Sequence, residues 1–199
     1  MSHIEIDQAA RDLLYLDAHT PKTFGTAPVS DDQILEIWEL MKFAPTASNS
    51  NPLRIVVLKS DEARARLVPL MAPGNDEKTR TAPATLILAA DTRFHEHLPV
   101  LAPHVPDAFD RFDAWSPEDR RDAARFSALL QAGYLILAVR AAGLNAGPML
   151  GFDRPGVDAE FFPDGRLSTL LVMNIGEYGP EPHRPRAPRL VFDEVVTFM

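Results

Sequence analysis

Residues 117–143 read PEDRRDAARFSALLQAGYLILAVRAAG. Pro117 suits the first turn of a helix, Ser116 is a plausible cap before it, and neither a cap nor a second proline follows before Gly143, so the stretch predicts one long helix. The apolar run from Phe126 to Leu144 carries Ser127, Gln131 and Arg140 and never reaches about 20 uninterrupted apolar residues, so it reads as a core helix and not a membrane span. Leu129, Leu130, Tyr134, Leu135 and Leu137 put apolar side chains on more than one face, and such a helix needs neighbours on more than one side.

Working outward, Ile55–Leu58, Leu86–Ala90 and Leu167–Ile175 are short apolar runs bounded by Pro, Gly or Asp, and they predict three buried strands. Ile6–Ala18 is expected to be a first helix, packed through Leu13, Leu14 and Leu16. Ser30 with Gln33 three residues later has the form of a capping box, and Ile34, Ile37, Trp38 and Met41 follow at helical spacing until Pro45. Asp61–Met71 and Asp76–Arg80 read as helices separated by Pro73-Gly74-Asn75, while Gly147–Gly151 reads as a break. Strands interleaved with helices over 199 residues predict one α/β or α+β domain.

Composition removes several functions. With no cysteine there is no disulfide, thiolate metal site or cysteine nucleophile, and 20 Lys plus Arg against 28 Asp plus Glu, net −8, argue against a broad nucleic-acid surface. The glycines form no G-x-G, Walker or G-x-S-x-G arrangement, which excludes a dinucleotide fingerprint, a P-loop and a nucleophile elbow. Met1–Asp12 has no secretion signature, so a cytoplasmic protein is expected. His95-Glu96-His97 with His104 leaves a metal-dependent hydrolase as an alternative, although the spacing matches no zinc motif and no metal is expected.

Four dispersed segments place polar, cationic or bare-backbone groups just outside apolar elements: residues 19–22, 45–52, 148–153 and 184–189. Arg184 and Arg186 could offer forked donors to an anion, Lys22 and Thr20 an ammonium and a hydroxyl, and the Asn-rich loop amides for a flat heterocycle.

In this order, from about Leu14 to Pro188, the segments resemble the nitroreductase family of FMN-dependent oxidoreductases. The resemblance implies an α+β fold, a three-layer α-β-α arrangement with a central, mostly antiparallel sheet flanked by helices and the long core helix at a homodimer interface. It implies that His19, Thr20 and Lys22 hold the flavin phosphate and ribityl chain, that Asn75 reaches the flavin, and that the backbone of Pro148, Met149, Leu150 and Gly151 faces its N5 edge. It further implies that Arg184 and Arg186 close on the phosphate, and that Pro45, Thr46, Ala47 and Asn49 pack on the flavin of the partner subunit. Bound FMN with NADH or NADPH as donor, a small-molecule substrate, ping-pong hydride transfer through flavin N5, and no nucleic-acid or membrane partner follow as expectations. Two departures stand out: Ala18 or His19 replaces an arginine, and Leu150 replaces an acidic residue. Residues 148–153 and Leu98–His104 are most similar to the branch of malonic semialdehyde reductases, or 3-hydroxypropionate dehydrogenases; a broad nitroaromatic or quinone reductase and a non-catalytic flavin binder are the alternatives.

Overall fold

The computed structural model describes residues 4–181 and 185–199. Its centre is a four-stranded, wholly antiparallel sheet in the order β1-β2-β4-β3, with β1 Leu53–Leu58, β2 Ala84–Asp91, β3 Asn145–Met149 and β4 Leu167–Gly176. β2 is buried along its whole length, as its unbroken apolar run demands. The pleat sends Leu86, Leu88, Ala90 and Met173 to one core and Ile87, Ala89 and Val172 to a second core on the opposite face.

Nine helices lie among the described residues. They are α1 Gln8–Arg11, α2 Asp31–Met41, α3 Asp61–Leu67, α4 Asp76–Thr81, α5 Leu98–Leu101, α6 Ala108–Asp113, α7 Pro117–Ala141, α8 Arg154–Phe161 and α9 Phe192–Val195. α2 and α7 cover the first core, and α3 and α8 the second, giving helices, sheet, helices in three layers. α7 begins where Ser116 Oγ accepts from the Asp119 N–H at 3.1 Å. Its Ala124, Ala128, Ala132 and Ala138 are buried beside the sheet, where small side chains allow close approach. By length and composition α7 is long and apolar enough to cross a membrane, yet its Ser127 and Gln131 are buried and hydrogen-bonded within the fold. The capping box of α2 is present, with Ser30 and Gln33 exchanging bonds of 3.1 and 2.9 Å, a feature contributing about 1 kcal/mol.

Three sequence expectations need correction. Gly147–Gly151 is no simple break, because Asn145–Met149 pairs with β4 as an edge strand, and the edge is where a proline such as Pro148 can sit without losing a ladder bond. The first helix is shorter than Ile6–Ala18: after α1, residues Asp12–Leu16 form a wider turn closed by Asp17 N–H to Asp12 C=O, and Leu13 and Leu16 stay about half exposed instead of packing. Residues 61–71 form α3 and then a tighter turn at Val68–Leu70, where Pro69 has no N–H to donate and the regular helix gives way.

Candidate functional site

Two adjoining cavities, about 710 and 280 Å³, share Thr20, Pro21 and Lys78 in their walls. Their first wall is the segment after the opening helix. The peptide of His19 is bracketed by Tyr178, whose hydroxyl accepts from His19 N–H at 3.0 Å and donates to its carbonyl at 3.3 Å. Further on, Gly25 N–H reaches Glu177 C=O and Gly179 N–H reaches Thr23 C=O, both at 2.9 Å. Residues 19–25 are therefore clamped to 177–179, which sets Thr20 and Lys22 into the larger cavity.

The second wall is the start of α4. Gly74 takes φ +86°, a left-handed turn that glycine accepts without strain, and its N–H donates to Asp76 at 3.0 Å. Backbone hydrogen bonds from Glu77 and Gly74 hold the Asp76 carboxyl below its ordinary value. Asn75 Nδ2 donates to Gly151 C=O at 3.0 Å, and Ala72 N–H donates to the same oxygen at 3.0 Å. This locks α4 to the end of β3. A Cβ on Gly151 would stand 2.8 Å from Asn75 Nδ2, so the bare glycine is what permits the approach.

β3 and its continuation supply the third wall, with Pro148, Met149 and the 71% exposed Leu150. Beneath them lies a buried polar floor: Thr85 Oγ1 donates to Asn174 Oδ1 at 2.8 Å, and Asn174 Nδ2 reaches Thr79 Oγ1 at 3.4 Å. Arg186 lines the larger cavity while its Nη2 bonds the carbonyls of Leu16 and Ala18 at 2.5 and 2.9 Å. Arg184 lies outside the described residues. Around the larger cavity five cations, Lys22, Lys78, Arg140, Arg186 and Arg189, face two carboxylates, Glu77 and Glu181, in a chain of net −8. A locally positive basin in an acidic protein suits an anion.

Pro45, Thr46, Ala47 and Asn49 line neither cavity. They precede β1 at the end of the sheet where Leu53 pairs with Ala90, whereas β3 starts at the other end, where Asn145 pairs with Gly176. One chain thus brings residues 19–22, Asn75, Pro148–Leu150 and Arg186 together, and leaves the 45–52 loop outside. The loop is nonetheless built with care. Ser48, Asn49 and Asn51 hold positive φ of 53, 51 and 43°, and Pro45, Ala47 and Asn49 are exposed.

Residues 16–176 match the Nitroreductase family. The chain belongs to that family. A relative from Streptomyces griseus, provisionally named NADH dehydrogenase/NAD(P)H nitroreductase, is 52% identical over 192 residues, 96% of this chain and 97% of its own. Two solved structures share the fold: an Exiguobacterium sibiricum protein provisionally described as a nitroreductase, in complex with FMN (TM-score 0.85, 19% identity), and a Staphylococcus epidermidis protein provisionally described as an NAD(P)H:FMN oxidoreductase (TM-score 0.86, 21% identity). Each covers all of both chains.

In this nitroreductase-family chain, sequence reading missed Lys78 and Arg140 as cavity residues, and took in Arg189 only as the end of the 184–189 segment. Lys78 carried a usable signal, since it follows Asn75 at i, i+3 and so shares its side of the first turn of α4. Arg140 carried none: it projects from a helix that reads as core, and its Nη1 also bonds Leu14 C=O at 2.8 Å. The histidines diverge. His95 is buried with Nε2 3.2 Å from Asp113, whereas His97 stands 3.8 Å from Asp91. Among the described residues no group of three or more His, Asp or Glu is placed to hold a metal ion.

Proposed function

We propose that this nitroreductase-family chain is an FMN-dependent NAD(P)H oxidoreductase that works as a homodimer. The observation carrying the reading is the positive basin opening onto the bare peptide edge of β3. FMN has an anionic end and a flat, amide-bearing end, and the two cavities offer the matching surfaces side by side.

Lys22 and Arg186 are the cations for the phosphate, with Thr20 and His19 beside them; Asn75 and Lys78, which line the smaller cavity, serve the heterocycle, and the backbone of Pro148–Gly151 borders its reactive edge. Each charge-assisted bond contributes about 1.5–3 kcal/mol. The loop carrying Pro45, Thr46, Ala47 and Asn49, remote from the cavities of its own chain, is assigned to the site of a second copy. When bound, FMN supplies hydride transfer from NAD(P)H to a small acceptor through N5 in ping-pong order, so the chain needs no nucleophile or metal of its own. Its residues hold the cofactor, exclude water behind the apolar Met149 and Phe24, and leave one face open. Leu150 offers no carboxylate, so its backbone alone acts there. A small aldehyde acid such as malonic semialdehyde is the acceptor favoured by the sequence likeness at 148–153 and Leu98–His104, and the cytoplasm is the proposed location.

The test is the visible absorbance of the purified protein, followed by anaerobic addition of NADH or NADPH. Bound flavin that bleaches supports the reading. A protein that refuses FMN overturns it, and one that binds FMN without bleaching is a carrier. Steady-state rates with malonic semialdehyde against a nitroaromatic then decide the acceptor.

A further inference from the structure

We infer that Gln131, on the long helix α7, is a positioning residue for the flavin site: it fixes the hydrogen-bond polarity of the loop that serves the second copy. The inference rests on the proposed flavin reading. Gln131 is 3% exposed, in the middle of a helix whose other buried residues are almost all apolar, and a buried amide at that depth is costly unless it is satisfied. Its oxygen accepts from Leu53 N–H at 2.9 Å, and its Nε2 donates to Asn51 Oδ1 at 3.3 Å.

These contacts form a one-way relay. A backbone N–H can only donate, so Leu53 forces Oε1 toward itself and leaves Nε2 as the donor on the loop side. That in turn makes Asn51 Oδ1 an acceptor and directs Asn51 Nδ2 to the carbonyl and Oδ1 of Asn49, at 2.7 and 2.9 Å. Asn49 then presents its own Nδ2 to Leu101 C=O at 2.8 Å, tying the loop to α5. Asn51 N–H bonds Thr46 Oγ1 at 3.2 Å, which closes the loop on itself. One turn before Gln131, Ser127 Oγ accepts from Ala47 N–H at 3.3 Å. Asn49 and Asn51 are among the three left-handed residues of the loop, and such backbone persists only where its surroundings over-determine it. A single buried side chain thereby sets which amide edges the exposed loop shows to its surroundings.

The helix also explains why the relay matters to a dimer. Phe126, Leu129, Leu130 and Tyr134 are exposed on the outward face of α7, while Ser127 and Gln131 are buried on the inward one. The same rigid element thus carries the face offered to a second copy and the anchor of the loop offered to that copy's site.

The experiment is a double-mutant cycle in FMN affinity, using Gln131→Met, which keeps volume but has neither donor nor amide acceptor, and Asn51→Gly, which a left-handed position tolerates. Each single variant is expected to weaken FMN binding about tenfold with the dimer intact, and the double variant to be no weaker than the singles, because both break one relay. Gln131→Met binding FMN within about twofold of the wild type overturns the inference, as does a double variant losing about a hundredfold, which means independent effects. If Gln131→Met fails to fold, Asn51→Gly alone decides, and wild-type affinity in it overturns the relay. A wild-type protein that takes up no FMN defeats the flavin reading first and this inference with it.

Discussion

Arg186 carries two duties in one guanidinium. Its Nη2 satisfies the carbonyls of Leu16 and Ala18 after the opening helix, groups that lack intrahelical partners, and its side chain forms part of the cation-lined wall. Arg186→Ala is expected to weaken FMN binding about ten- to a hundredfold, measured by flavin release on dilution. Arg186→Lys keeps the charge without the planar fork and should fall between the two. Asp91 is the residue on which an acid transition turns. Burial alone raises its carboxyl, but hydrogen bonds from Arg166 at 2.9 and 3.0 Å, the Arg93 N–H, and the charges of Arg54 and Arg166 outweigh burial and hold it below the ordinary value. A carboxyl depressed in the folded state stabilises above its unfolded pKa of about 4, and that stability is lost as pH falls through the folded value. Thermal midpoints should therefore drop below about pH 4 in the wild type, and Asp91→Asn should destabilise by roughly 2–3 kcal/mol near pH 7 while flattening that acid slope.

At the scale of elements, legibility followed how local the cause was. The capping box at Ser30, the cap at Ser116 and the breaker at Pro73-Gly74 act within four residues, so α2, α7 and α4 could be read from the chain. β3 could not, because Asn145–Met149 is a strand only by pairing with β4, on the far side of α8 in the sequence, and its proline argues the other way until the edge position is known. α8 was missed although its cap is local: Asp153 accepts from Gly156 N–H and Pro155 suits a first turn, but Gly156 beside them reads as a loop. The site divides likewise. The segments at 19–22 and 148–151 could be picked out along the chain, and Lys78 by its spacing from Asn75, whereas Arg140 becomes a cavity residue only when α7 is set beside them. The junction of α4 with β3 can be tested directly. Gly151→Ala would drive a methyl to within 2.8 Å of Asn75 Nδ2, and is expected to cost about 1 kcal/mol of stability and weaken FMN binding severalfold. Gly143, in contrast, sits at φ +76° with open space around it, so Gly143→Ala should lower stability alone, with flavin titration separating the two.

For the whole molecule, the distribution of apolar surface carries the argument. Phe126, Leu129, Leu130 and Tyr134 of α7 lie open, as do Leu35, Trp38, Leu40 and Phe43 in and after α2, and the terminal arm adds Leu190, Phe192, Val195 and Phe198. A monomer seldom leaves that much large apolar side chain in water without a partner surface. The proposed homodimer would cover this surface, and because the loop anchored by Ser127 and Gln131 lines neither cavity of its own chain, it would also give that loop a cavity to serve. Light scattering at micromolar concentration should give twice the 22.0 kDa chain mass. Tyr134→Glu together with Leu130→Glu, placed in the centre of the open face of α7 and outside both cavities, should yield monomers that keep their helical content. Because half of each site would then be missing, FMN affinity should fall along with the mass. Monomers that still bind FMN as the wild type does would mean that one chain suffices and that the 45–52 loop has no part in holding the flavin.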